Sequence, residues 1–195
     1  MSSQTCAFLW TVAFLRDSVY DRNRRDRGMK KILILLMAVM VLMAAGACSS
    51  GSGGNNASED EEAPDFSVEL TDGSTFTLSE HKDDVVMLNF WATWCSYCVD
   101  EMPDIQKLTD DNIDGLSIVL VDCAETKQEV DDFLKETGYT FDVAYDEEDS
   151  VSQQYGAFTI PRTVIIKDGK IKKIFSGAPV DPYNEYKSAV EEYLK

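Results

Sequence analysis

The strongest constraint on the fold is an almost uninterrupted apolar run at residues 85–91, Val-Val-Met-Leu-Asn-Phe-Trp. The run has the length of a strand, and a strand without polar alternation is typical of one buried on both faces of a sheet. A helix should follow from Ser96 to about Asp110, with Pro103 in its interior, where proline predicts a kink. These residues predict a sheet with helices packed against it.

The alternation of strand and helix continues along the chain. Residues 116–121 predict a second buried strand, and Thr126 with Glu129 forms a capping-box pattern at the start of a helix that ends near Gly138. The elements expected after it are a short strand, a short helix, an antiparallel hairpin and a final helix, at residues 141–145, 149–155, 163–175 and 181–194.

Two short strands at residues 66–70 and 75–78, joined around Asp72-Gly73, predict a hairpin before the first long strand. A length of 195 residues allows one or at most two domains. We therefore predict a three-layer α/β/α domain over residues 64–195, with a central mixed β-sheet and an N-terminal β-hairpin extension.

The N-terminal part has the layout of an export signal. Residues 32–48 carry no charge, follow Met29-Lys30-Lys31 and precede a stretch of Ser, Gly and Asn. The alternative is a retained transmembrane anchor, which usually needs about 20 apolar residues and is therefore less well matched by this run.

The end of the apolar run, residues 44–48, resembles a bacterial lipoprotein box. The resemblance implies a signal peptide at residues 29–47 and a lipid attached to Cys48, which would anchor the protein to the membrane. Ala45 departs from the box, which prefers Leu at this position, and simple cleavage near the same place is the alternative.

Residues 1–28 fit no part of a signal, and our hypothesis is that they are an upstream extension and that translation begins at Met29. Residues 48–63 are small, polar and acidic, so we expect a flexible tether there. Loss of residues 1–47 removes seven basic and three acidic side chains, and the net charge changes from −17 to −21. This acidic excess argues against nucleic acid as a partner.

The sequence Trp-Cys-Ser-Tyr-Cys at residues 94–98 stands where the first long strand ends and a helix begins. The positive end of a helix dipole favours the thiolate form of Cys95, and Cys98 lies about one turn away, close enough for a disulfide. Zinc is an alternative by count, with Cys95, Cys98, Cys123 and His81 as ligands. No second ligand pair recurs at metal spacing, so we expect no metal.

Residues 88–103, Leu-Asn-Phe-Trp-Ala-Thr-Trp-Cys-Ser-Tyr-Cys-Val-Asp-Glu-Met-Pro, resemble the thioredoxin superfamily, and within it the TlpA/ResA-like extracytoplasmic thioredoxins. Thr159-Ile160-Pro161 matches a second motif of the same family. The resemblance implies a thioredoxin-like fold with Pro161 in cis and a thiol-disulfide oxidoreductase activity. The candidate residues it implies are catalytic Cys95, Cys98 and Glu101, and substrate-binding Trp94, Ile160 and Pro161.

In this family the first cysteine, here Cys95, is the exposed nucleophile and the second, Cys98, is the buried resolving thiol. Glu101 matches a glutamate that assists proton handling; its alternative is an acidic residue that only complements the helix dipole. Asn89 stands where cytoplasmic thioredoxins carry a buried Asp. Tyr97 replaces the Pro of many relatives, which leaves reductase and oxidase both open.

Four residues also have simpler interpretations. We expect Trp91 in the core and Trp94 at the active-site surface. Cys123 is predicted to be a small buried hydrophobe, with regulatory or resolving chemistry as the alternative. A plain loop proline is the alternative for Pro161.

Together these residues predict a thiol-disulfide oxidoreductase that reduces protein disulfides at the extracytoplasmic face of a bacterial cell envelope. Its only cofactor would be its own redox-active disulfide. The expected partners are disulfide-containing exported clients, of which apo-cytochrome c is one family example, and a membrane electron donor of the thiol-relay type; we expect a monomer. The alternatives are a peroxiredoxin-like thiol peroxidase and a partner-binding lipoprotein with a structural disulfide.

Overall fold

The computed structural model describes residues 57–194. The predicted upstream extension, the signal peptide, the lipid box with Cys48 and most of the tether lie outside the described residues. Within the described range, no helix combines the length and the apolar composition that crossing a bilayer requires.

The strands form two sheets. Strands β1 and β2 form an antiparallel hairpin. Strands β3 to β7 form a five-stranded sheet in the order β5-β4-β3-β6-β7. The pairs β3–β4 and β4–β5 are parallel, whereas β3–β6 and β6–β7 are antiparallel, so the predicted mixed sheet is confirmed. The strand bounds are Ser67–Glu69 (β1), Thr75–Thr77 (β2), Val85–Trp91 (β3), Leu116–Asp122 (β4), Asp142–Ala144 (β5), Arg162–Lys167 (β6) and Lys170–Ser176 (β7).

Alternate residues of β3 enter two different apolar clusters on the two faces of the sheet, as the two-residue period of a strand requires. Helices α1, α2 and α4 contribute to the first cluster, and the hairpin and α3 contribute to the second. All seven residues of β3 are buried, which is the reason for its unbroken apolar sequence. The helix bounds are Ser96–Asp110 (α1), Lys127–Thr137 (α2), Ser150–Gln154 (α3) and Pro182–Tyr193 (α4).

The predicted ends of α2 are present as local hydrogen bonds. The Thr126 hydroxyl accepts from the Glu129 backbone N–H, and the Glu129 carboxylate accepts from the Thr126 backbone N–H at 2.9 Å. Gly138 ends the helix in the left-handed region with φ of 76°. The sequence pattern therefore identified both ends of this helix.

The prediction of a free tether up to residue 63 is wrong for residues 57–63, which lie along the edge strand β7. The Asp60 N–H donates to the Ile171 carbonyl at 2.8 Å, and the Ile171 N–H donates to the Glu61 carbonyl at 2.9 Å. Lysines of β7 also face this segment, with Glu62 paired to Lys170. An acidic segment buries little apolar surface, but an edge strand offers free backbone groups and here also positive charge.

Candidate redox site

The two cysteines of the Cys-x-x-Cys motif form a disulfide at the start of α1. Their Cα atoms are 5.3 Å apart, within the range that a disulfide needs. Cys95 is the N-cap of the helix, and the Cys98 backbone N–H donates to its Sγ at 3.3 Å. Cys95 therefore lies among the free N–H groups of a helix N-terminus, which favour a thiolate after reduction.

The expectation of an exposed Cys95 needs correction. In the disulfide form Cys95 is 7% exposed and Cys98 is 1% exposed, and both belong to the first apolar cluster. Cys95 is still the more accessible of the two residues.

Exposed aromatic side chains flank the disulfide along the chain. Trp94 and Tyr97 are each 71% exposed, whereas Trp91 is fully buried against Phe133, as predicted. Phe158 is 70% exposed in the loop before β6, and sequence reasoning missed it. The signal that could have found Phe158 is an aromatic residue directly before the Thr-Ile-Pro motif.

The second family motif lies at the same end of the sheet as the disulfide. The Ile160–Pro161 peptide bond is cis, as the resemblance implied. β6 begins at Arg162 opposite Phe90, so Pro161 lies beside the end of β3. Ile160 is half-buried against the cluster that contains the disulfide. The antiparallel pairing of β3 and β6 therefore brings the two motifs together.

Glu101 lies in a closed ring of four buried side chains. Asn89 Nδ2 donates to Glu101 Oε1 at 2.7 Å, and the Tyr186 hydroxyl donates to Oε2 at 2.9 Å. The Thr163 hydroxyl donates to the Tyr186 oxygen at 3.1 Å and accepts from Asn89 Nδ2 at 2.9 Å. None of the four residues is more than 1% exposed.

Burial raises the pKa of Glu101 to about 7, and the charge of Asp104 acts in the same direction. The hydrogen bonds from Asn89 and Tyr186 oppose this rise in pKa. An acid that only complemented the helix dipole would be exposed in the first turn, whereas Glu101 lies beyond that turn and is buried. Cys98 and Glu101 are three residues apart on the buried side of α1, so their side chains are neighbours.

The sequence indicated Glu101 and Asn89 but not the other two members of the ring. The sequence places Tyr186 in the predicted final helix and Thr163 at the start of the predicted antiparallel hairpin, and neither of the two motifs includes them. A hydroxyl on two otherwise apolar faces was the available signal, but only the packing of α4 against β6 and α1 makes the hydroxyls meet Glu101.

A second acidic group holds the turn before the disulfide. The Glu125 carboxylate accepts from the Thr93 backbone N–H at 2.6 Å and also from the Thr93 hydroxyl. The Glu125 N–H donates in turn to the Asp122 carboxylate at 3.1 Å. Asp122 is fully buried, one of its oxygens has no hydrogen-bond partner, and burial raises its pKa. Sequence reasoning found no role for this pair of acids.

Cys123 lies on the other side of the sheet from the disulfide. It packs against the second apolar cluster, and its Sγ is 3.3 Å from the Ser152 hydroxyl. It is a free cysteine and is half-buried. The prediction was a fully buried side chain. Burial raises the pKa of its thiol to about 12, so Cys123 is almost entirely protonated at neutral pH.

The four zinc ligands considered from the sequence do not meet. His81 stacks on Phe76 with ring centres 4.5 Å apart, and its Nδ1 is 3.0 Å from Asp84. Cys123 and the disulfide lie against different apolar clusters. Among residues 57–194, no three His, Cys, Asp or Glu side chains are grouped as metal ligands.

Residues 58–193 match the protein family described as Redoxin. Thiol-disulfide oxidoreductase ResA from Geobacillus thermodenitrificans is 38% identical over 117 residues, which are 59% of this chain and 67% of that protein. The protein of the same name from Bacillus subtilis is 33% identical over 138 residues, which are 70% and 74% of the two chains.

A solved structure has the same fold. The crystal structure of the pneumococcal exposed lipoprotein thioredoxin from Streptococcus pneumoniae matches with 25% identity and a TM-score of 0.61. The match covers 66% of this chain and 99% of that chain. The Redoxin match at residues 58–193 includes the Cys95–Cys98 disulfide, the cis-proline and all four residues of the buried ring.

Proposed function

The chain belongs to the Redoxin family and is a thiol-disulfide oxidoreductase related to ResA, and from this premise we propose that it reduces disulfides in exported proteins at the outer face of a bacterial membrane. One observation carries this proposal: a disulfide at a helix N-terminus with a buried carboxylate one turn further along the same helix. This arrangement supplies a nucleophile, a resolving thiol and a proton acceptor.

The reaction begins with the reduced pair. The Cys95 thiolate attacks one sulfur of a client disulfide, a new Cys95–client disulfide forms, and the other client sulfur leaves as a thiolate. The helix N-terminus supports this step because its N–H groups stabilise negative charge on Cys95 Sγ. Trp94 and the Ile160–Pro161 segment are proposed to contact the client beside the sulfur that is attacked.

The second step requires Cys98 to lose its proton. Glu101, as a carboxylate, accepts that proton, and the Cys98 thiolate attacks Cys95 Sγ. The Cys95–Cys98 bond forms, the Cys95–client bond breaks, and the second client sulfur leaves as a thiolate. Two electrons pass from the dithiol to the client disulfide, and no further cofactor is proposed.

The dithiol must then be restored by a second exchange. We propose a membrane dithiol of the thiol-relay type as the electron donor, which attacks the Cys95–Cys98 disulfide and becomes oxidised itself. The clients are exported proteins that carry a disulfide, and apo-cytochrome c is one class of such clients. The protein is proposed to act as a monomer, since the disulfide and the ring around Glu101 are formed by residues of one chain.

The proposed anchor is a lipid on Cys48. Its support is the lipoprotein-box sequence at residues 44–48 and a structural relative described as an exposed lipoprotein. Cys48→Ser should move the protein from the membrane fraction to the soluble fraction of the envelope. Retention of the Cys48→Ser protein in the membrane would point to an uncleaved apolar anchor instead.

The direction of electron flow is tested by the redox state of the pair in growing cells. In a Cys123→Ser background, maleimide trapping after acid quenching counts the free thiols of Cys95 and Cys98. A reductase should be found mainly as the dithiol, because its donor keeps it reduced. A pair found mainly as the disulfide would make the protein an oxidase and contradict the proposal. Cys95→Ser serves as the one-thiol reference.

A further inference from the structure

The ring around Glu101 contains two hydrogen bonds to its carboxylate and two more that connect the donors Asn89 and Tyr186 through Thr163. We propose that Tyr186 and Thr163 are positioning residues that hold Glu101 in the carboxylate form needed to accept the Cys98 proton. The proposal rests on the proposed role of Glu101 in disulfide exchange. Neither hydroxyl lies in the two sequence motifs, and both enter the site from β6 and α4.

The hydrogen count of the ring favours the ionised form. Asn89 Nδ2 supplies two hydrogens and the hydroxyls of Thr163 and Tyr186 supply one each, which together make the four hydrogen bonds of the ring. In this arrangement both oxygens of Glu101 are acceptors. Each of the four hydrogens has an acceptor in the ring, and each of the four oxygens at these contacts accepts one hydrogen.

Protonation of Glu101 adds a fifth hydrogen to a ring with four contacts. If the acid donates to Tyr186, the Tyr186 hydroxyl must turn to Thr163, and the Thr163 hydroxyl then loses its acceptor in the ring. A buried hydroxyl without an acceptor is costly. The ring therefore opposes protonation, whereas burial favours it.

The charged and titratable groups near Glu101 act on the same balance. Asp104 on α1 raises the pKa of Glu101, and Asn89 on β3 and Thr163 on β6 are neutral. On α4, Tyr186 has a raised pKa because of burial and the nearby Glu101 and Glu185 charges, so it stays a hydroxyl donor. Cys98, once reduced, is the neighbouring proton donor on α1 itself.

Tyr186→Phe removes one donor and keeps the packing of the ring. The Tyr186 side chain meets Phe175 edge to face with ring centres 5.1 Å apart, and Phe can keep that contact. Loss of a hydrogen bond to a charged group should raise the pKa of Glu101 by about one unit. At pH 7 fewer Glu101 side chains would then be carboxylates, and resolution by Cys98 should slow roughly fivefold and recover near pH 9.

The experiment uses the full chain in detergent with Cys123→Ser. The reduced protein is mixed with dithionitrobenzoate, a chromogenic disulfide, and release of the second chromophore reports the attack by Cys98. The rate is measured from pH 5 to pH 9, and the Glu101 carboxyl is titrated in parallel by carbon NMR. Tyr183→Phe is the matched control, because Tyr183 lies on the same helix and its hydroxyl donates to Asp111 at 2.8 Å, outside the ring.

We expect Tyr186→Phe to shift both the rate profile and the Glu101 titration upward, Thr163→Val to shift them less in the same direction, and Tyr183→Phe to shift neither. Superimposable profiles for Tyr186→Phe and Tyr183→Phe would overturn the positioning role. Glu101→Gln separates this failure from a failure of the proposed function: if Glu101→Gln resolves the mixed disulfide at the normal rate at every pH, the proton-acceptor role of Glu101 is itself wrong.

Discussion

Cys95 and Cys123 occupy similar places in the chain and have opposite chemistry. Cys123 directly follows β4, and Cys95 comes four residues after the end of the neighbouring parallel strand β3. Cys95 caps a helix of 15 residues and is bonded to Cys98. Cys123 caps nothing, and its thiol has a pKa raised to about 12 by burial. Cys95 therefore has both a helix N-terminus and a disulfide partner, and Cys123 has neither.

The carboxylates near Cys98 and Cys123 differ in their hydrogen bonding. Glu101, near Cys98, accepts a hydrogen bond on each oxygen. Asp122, next to Cys123, has one buried oxygen without a partner, and its charge raises the pKa of Cys123. Burial raises the pKa of both acids, and the hydrogen bonds from Asn89 and Tyr186 oppose that rise at Glu101, whereas the charge of Asp122 makes the nearby Cys123 thiolate less favourable.

The largest expected effect separates the two cysteines by turnover. Cys95→Ser should reduce disulfide exchange to the uncatalysed rate, because no nucleophile remains at the helix N-terminus. Cys123→Ser should keep turnover within about twofold of the wild type, since Cys123 is a protonated packing residue. The measurement is reduction of a fluorescent disulfide peptide with dithiothreitol as donor. A loss of turnover in Cys123→Ser would give Cys123 a part in the exchange.

A smaller but direct effect concerns thiol reactivity. In the reduced protein at pH 7, iodoacetamide should alkylate Cys95 at least about 10³-fold faster than Cys123, because the thiolate is the reactive form. Mass spectrometry of peptides from a time course gives both rates in one sample. Cys98→Ser removes the competing thiol and is the control. Equal alkylation rates would mean that burial does not suppress the reactivity of the Cys123 thiol in solution.

The smallest expected effect concerns the contribution of Asp122 to stability. Burial raises the pKa of Asp122 above its value in the unfolded chain, so the native state favours the protonated acid. The wild-type protein should therefore lose stability as the pH rises from about 4 through the raised pKa. Asp122→Asn cannot ionise and should be more stable than the wild type by about 1–2 kcal/mol at pH 9, with little difference at pH 4.

Urea unfolding at a series of pH values measures this difference. Asp114→Asn is the matched control, because Asp114 is an exposed acid in the loop before β4. An Asp122→Asn curve parallel to the wild-type curve at every pH would show that Asp122 has an ordinary pKa. A stabilisation of Asp114→Asn of the same size would attribute the effect to net charge instead of burial.

Much of the fold was predictable because local patterns specify it. The bounds of β3 and α1 agree with the apolar run and the helical stripe, and the ends of α2 agree with its capping residues. The tether prediction failed at residues 57–63 because composition does not record which edge strand a segment meets. For the candidate site, the motifs predicted Cys95, Cys98 and Glu101, and the structure places the two cysteines in a disulfide and Glu101 one turn further along the same helix.

The remaining parts of the site depend on residues far apart in the chain. Thr163 and Tyr186 lie 74 and 85 residues from their ring partners Asn89 and Glu101. Glu125 holds Thr93 across 32 residues. Each of these polar residues is unremarkable in its own segment, and its function as a hydrogen-bond partner exists only after the strands and helices pack.

The sequence by itself determined the order of strands and helices, the position of the cysteine pair at a helix start and the family to which the chain belongs. These properties follow from neighbouring residues, through apolar periodicity, capping and motif spacing. Only the tertiary structure decided that Cys95 is nearly buried and that burial raises the pKa of the Cys123 thiol to about 12 and that of Glu101 to about 7. Burial and hydrogen bonding from distant segments set these properties, because the dielectric surroundings of a side chain arise only when the chain folds.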